Sequence, residues 1–245
     1  MGNRTISPTR KRYIAKLAAR CAVLIFCGIL CVAAPEEFDV LVGMNFFRKV
    51  SVLHLLWVIW VVDMLPQIVP FSNRVPLGSQ KLFVNRFRPG ADTVDRAALR
   101  SYTVTSAKAA YKVFALWWVL IAVIGVLHYT GVIRKKGLFM IAVFFYVCDL
   151  ICVLIWCPFR LMMKTRCCTT CRIFNWDHLM MFSPFLFMGG FYGVSLVTLA
   201  ILAWLIWELC VMMYPERFWE RTNRALRCSA CTDKLCTQCC PKKGK

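Results

Sequence analysis

Residues 180–214, MMFSPFLFMGGFYGVSLVTLAILAWLIWELCVMMY, decide how this chain is read: 35 positions carry a single formal charge, Glu208. As one straight helix rising 1.5 Å per residue the stretch would be about 50 Å long, well beyond what a hydrocarbon core requires. Pro184 and the Gly189-Gly190 pair mark the expected break. That leaves a membrane-spanning helix over 193–214, preceded by a short re-entrant or interfacial piece.

Working outward, four more stretches have the length and apolarity of spans: residues 17–34, 51–71, 113–133 and 137–159. The expected fold is an all-α integral membrane protein of about five transmembrane helices. Three regions follow: a basic tail over 1–16, a helical domain over 17–214 with one soluble loop at 72–112, and an interfacial helix with a cysteine-rich tail over 215–245. In the soluble loop, Asp92-Thr93 reads as the cap of a helix that begins near Val94 and runs into the third span. The first apolar stretch also has the make-up of a signal peptide, with a basic start and Ala33-Ala34 before Pro35.

Composition fits this division. The chain of 245 residues is 60% hydrophobic and 18% charged, yet 31 Lys and Arg face 12 Asp and Glu, a net charge of +19. Apolar content on that scale rules out a single soluble domain and a disordered chain. Nucleic acid is not the expected partner, because the cationic excess is explained by the cytoplasmic charge bias of membrane proteins. The first 20 residues carry six basic side chains, the 72–112 loop eight and the 160–182 loop four, whereas the 35–50 loop has Glu36, Glu37 and Asp39 against Arg48 and Lys49. A multi-pass protein of the cell membrane with a cytoplasmic N-terminus is expected. Arg74, Lys81, Arg86, Arg88 and Arg96 are expected to meet anionic lipid headgroups.

The tail contradicts this topology. Five crossings put it on the far side, yet it holds eight further basic residues. Only a sixth crossing squeezed into 177–214 would reconcile charge with parity, and length favours five.

Seven of the 15 cysteines lie in apolar spans, where they read as packing. The other eight form two groups: Cys167, Cys168 and Cys171 after the fourth span, and Cys228, Cys231, Cys236, Cys239 and Cys240 in the tail. C-x-x-C brings two sulfurs to one ion, and two such pairs complete a tetrahedral site, so zinc or an iron–sulfur cluster is the expected cofactor. Disulfides and acylation are the competing readings.

Ionisable groups inside spans are costly and mark function. Asp63 and Asp149 fall at similar depth near the middle of spans two and four, with His54, His128 and Glu208 as further intramembrane polar groups. Asp177 and His178 sit at the interface, where Asn175 or Asp177 also reads as a helix cap. No nucleophile–base pair, phosphate loop or dinucleotide fingerprint argues for an enzyme. Three functions follow: metal or cluster binding at the membrane surface with a structural, sensing or electron-transfer role; a small proton- or cation-coupled permease using the intramembrane Asp and His; or an accessory subunit contacting a membrane-protein partner or a second copy of itself.

Overall fold

The computed structural model describes residues 7–69, 78–90, 95–165 and 167–231, and these fold as an all-α membrane protein. Four helices are long and apolar enough to cross a membrane: α1 (Pro8–Ala33), α3 (Arg96–Tyr129), α4 (Lys135–Leu154) and α7 (Gly190–Met213). Between them lie the shorter apolar α2 (Leu53–Ile68) and two six-residue helices, α5 (Pro158–Met163) and α6 (Asp177–Phe182). Among the described residues there is no strand, and one isolated bridge pairs Pro89 with Asn223.

Local chemistry sets the ends. Ser7 accepts from the Arg10 N–H and Pro8 occupies the first turn, so α1 starts before the hydrophobic run does. Asp95, not the expected Asp92-Thr93, caps α3 by accepting from the Ala97 N–H; Asp92 and Thr93 lie outside the described residues. From Arg96 the helix runs unbroken into the apolar stretch, as the soluble-loop reading required.

Tertiary contacts sort the segments into two ends of one bundle. At the first end, the Phe191 N–H donates to the Gly43 carbonyl at 2.9 Å, and the Tyr192 hydroxyl donates to the Leu53 carbonyl at 2.9 Å. Phe187 packs there on Gly125 and Tyr129 of α3. At the second end, Tyr102 stacks on Trp219, and the Arg224 N–H donates to the Arg88 carbonyl at 2.8 Å. The start of α1, the 78–90 segment, the 155–176 segment and the chain after Tyr214 all gather at this second, basic end.

The start of the long apolar stretch therefore departs from the re-entrant expectation. Residues 177–189 pass from the basic end to the far end as α6, a 3₁₀ turn (Ser183–Phe187) and the Gly189-Gly190 pair. Thirteen residues suffice because the passage is buried: Leu179, Met181, Phe182, Ser183, Pro184, Phe185 and Met188 touch protein on all sides. Non-helical backbone is tolerated at such depth only when protein covers it. Gly190 is required at the turn: its φ is +79°, and a Cβ there would lie 2.7 Å from the Leu41 carbonyl oxygen. The chain after Tyr214 then lies with the end of α7 at the basic end, where its charge had placed it. The expected surface helix after Pro215 is replaced by 3₁₀ turns (Pro215–Arg217 and Arg224–Leu226) packed on the 78–90 segment.

The main core joins α1, α2, α4, α6 and α7 around Trp60, Phe139, Phe182, Phe185 and Tyr192, each nearly or fully buried. A smaller core at the basic end surrounds Trp176 and Trp207.

Candidate functional site

One charged residue read only as topology proves central. Arg20 stands at the middle of α1, on the side that packs along α4. Its guanidinium donates to Asp149 Oδ2 at 2.7 Å and to the Tyr146 carbonyl at 2.7 Å, and lies 3.8 Å over the Tyr146 ring. Asp63 of α2 completes the group, 3.9 Å from Arg20 and accepting from the Tyr146 hydroxyl at 3.2 Å. The two carboxylates predicted at one depth are thus bridged by a cation from a third helix.

A second polar pair sits at the start of α6. Gln67 Nε2 donates to both carboxylate oxygens of Asp177, at 3.1 and 3.2 Å, and His178 Nδ1 lies 3.2 Å from Asp177 Oδ1. Neither Asp177 nor Asn175 caps a helix: Asn175 is buried and accepts from the Ser79 hydroxyl at 2.7 Å. His178 Nε2 and Gln67 Oε1 are buried without a protein partner. Buried polar atoms are ordinarily satisfied, so these two are ready to meet a polar ligand.

Both groups face one cavity of about 520 Å³, lined by Arg20, Asp63, Asp149, Asp177 and His178 together with apolar and aromatic side chains. Its rim includes Lys16, Pro158 and Arg160 at the basic end. The aromatic core adjoins the site residues, with Phe182 next to His178 at 6.1 Å and Trp60 next to Tyr146 at 5.8 Å between ring centroids. Three carboxylates converge against one guanidinium and one imidazole. Lys16 and Arg160 add two cations to the same lining, so the cavity holds both signs of charge side by side.

The remaining polar candidates do not join it. His54 Nε2 lies 2.8 Å from the Phe46 carbonyl and His128 Nδ1 2.7 Å from the Ile133 carbonyl, each ordering a loop at the far end. Glu208 is at the basic end, paired in two contacts with Arg172, accepting from Trp176 Nε1 at 2.9 Å and from the Tyr111 hydroxyl at 3.4 Å. Arg172 is itself anchored, since Trp207 Nε1 donates to its carbonyl at 2.8 Å. This network fastens the 167–176 segment to α7.

The cysteine groups also part. Cys167 contacts Thr169 Oγ1 at 3.0 Å, Cys171 is buried, and among the described residues no three His, Cys, Asp or Glu side chains are placed to hold a metal ion. Cys236, Cys239 and Cys240 lie outside the described residues, as does the side chain of Cys228; Cys231 is half-buried. The nearest cation to Cys171 is Lys81, whose ammonium donates to the Cys171 carbonyl at 3.0 Å and lies 5.1 Å over the Trp207 ring. Lys81 is 2% exposed, so it is withdrawn from the headgroups it was expected to meet. Burial lowers its pKa to about 7.

Arg20, Tyr146 and Gln67 are the site residues that the sequence reading missed. Arg20 carried a usable signal, a charge inside an apolar run. Tyr146 and Gln67 carried none. No protein-family model matches the chain, and no curated protein or solved structure matches it either.

Proposed function

We propose that this protein is a six-crossing permease of the cell membrane, its basic end cytoplasmic, that couples movement of a small solute to a proton or cation held by Asp63, Asp149, Asp177 and His178. The observation that carries the reading is the convergence of these groups with Arg20 on one cavity of about 520 Å³. Partly buried carboxylates beside a cavity change protonation when a solute or cation enters, and a polar cavity among membrane helices suits a solute site. The broken 177–189 passage supports the reading, since interrupted segments at membrane depth line solute sites in transporters. Arg88 and Arg96 are assigned to anionic lipid headgroups.

The test is reconstitution into phosphatidylethanolamine–phosphatidylglycerol vesicles with a panel of radiolabelled amino acids, amines and organic acids under an imposed proton gradient. Gradient-driven flux that disappears in Asp149→Asn, with the protein still folded, is expected. Flux of no solute, together with an unchanged pH dependence of thermal stability in Asp149→Asn, overturns the proposal. The C-x-x-C spacing of Cys228, Cys231, Cys236 and Cys239 favours a separate zinc or iron–sulfur site in the tail, and metal analysis of anaerobically purified protein tests it.

A further inference from the structure

Five cysteines also line the cavity: Cys148, Cys152, Cys157, Cys168 and Cys171. Cys152 is in the last turn of α4 and Cys157 immediately precedes Pro158 of α5, so the chain folds back between them. Their thiols are hydrogen-bonded to one another, and both sulfurs are free. Cys157 further accepts from the backbone N–H groups of Phe159 and Arg160 and feels the Arg160 guanidinium.

These donors separate Cys157 from its neighbours. They draw its thiol down to about 7, whereas burial pushes Cys168 up to about 12 and raises Cys171 as well. An attacking thiol is most effective with a pKa near ambient pH, and a second thiol must be within reach to resolve the adduct. The Cys157–Cys152 pair meets both conditions beside a cavity rimmed by Lys16 and Arg160.

We propose that Cys157 and Cys152 are a redox-active dithiol that exchanges with small anionic disulfides admitted through the basic end of the cavity. The Cys157 thiolate attacks one sulfur of the disulfide, forming a mixed disulfide and expelling one thiolate, which takes a proton from solvent. The Cys152 sulfur then attacks the Cys157 sulfur, and the second thiolate leaves with the Cys152 proton. Two protein thiols are oxidised to one disulfide and the small disulfide is reduced to two thiols.

The activity goes beyond the permease reading and needs no gradient, so it is measured on full-length protein in detergent, and failure of either leaves the other standing. Reduced protein is incubated with glutathione disulfide near neutral pH, then alkylated and peptide-mapped by mass spectrometry. In the wild-type protein the peptide holding Cys152 and Cys157 is expected to lose two hydrogens while two equivalents of glutathione are released. Cys152→Ser is expected to stop at a glutathione adduct on Cys157, and in Cys152→Ala the alkylation midpoint of Cys157 is expected to move up from about 7 as the donor at position 152 is lost. Cys157→Ser is expected to yield neither product while Cys167 alkylates as before. Cys157 should alkylate on the order of a hundredfold faster than Cys168. A Cys157 that alkylates no faster than Cys168, or a Cys152→Ser protein without the adduct, overturns the proposal.

Discussion

Two arginine–carboxylate groups, one buried and one half-buried, use the same chemistry in opposite ways. Arg172 and Glu208 are closed in: the carboxylate has both oxygens engaged by Arg172, Trp176 and Tyr111, and both residues are under 8% exposed. Arg20 with Asp149 and Asp63 borders a cavity, and next to it His178 Nε2 and Gln67 Oε1 have no protein partner. An ion pair closed into a packed interior holds segments together, whereas one beside open space can trade partners. The first is architecture and the second is a site.

Breaking the closed group should have the largest effect. Glu208→Gln leaves Arg172 buried without a counter-charge and should cost about 3–5 kcal/mol, read as a large drop in detergent melting temperature. The double change Arg172→Met with Glu208→Leu should recover most of that loss, because the uncompensated charge is gone.

Next in size is the turn that allows the buried 177–189 passage. Gly190→Val forces a left-handed φ on a β-branched residue against the Leu41 carbonyl and should cost about 2–3 kcal/mol, seen as lower yield and melting temperature.

Opening the cavity group should cost less. In Asp149→Asn the Arg20 guanidinium keeps Asp63 and the Tyr146 carbonyl, so a loss of about 1–2 kcal/mol is expected while gradient-driven flux vanishes. If both groups lost stability equally, the contrast between them would fail.

Lys81 gives a pH signature. Its folded pKa lies near 7 against an ordinary 10.5. Between those values the unfolded chain binds more protons, so stability rises with pH across that window, and the burial penalty is full below it. Lys81→Met should flatten the rise, measured as melting temperature against pH. The smallest effect belongs to the exposed Lys49–Asp39 pair at the far end, where Asp39→Asn should leave the melting temperature unchanged.

The sequence reading went furthest where one element carried the whole signal. Apolar runs of span length located α1, α3, α4 and α7, because a bilayer imposes its thickness on any helix that crosses it. It failed over 177–189, whose short mixed pattern resembles an interfacial piece and crosses the bundle only because neighbouring helices cover its backbone. Asp63 and Asp149 were legible as costly intramembrane charges. That Arg20 would bridge them, and that Glu208 would leave them for Arg172, was not, since one Arg and one Glu in apolar runs look alike until their neighbours are known.

Cysteines make the same point at a finer scale. Spacing drew attention to Cys168-x-x-Cys171, yet the reactive sulfur is Cys157, five residues from Cys152 in a spacing that marks no motif. What the sequence determined by itself is the all-α membrane fold and the gathering of basic charge at one end, because hydrophobicity and charge are summed along the chain. Tertiary structure alone decided the buried course of 177–189, the partner of each buried charge and the cysteines that line the cavity, because those depend on which side chains from distant segments share low-dielectric space.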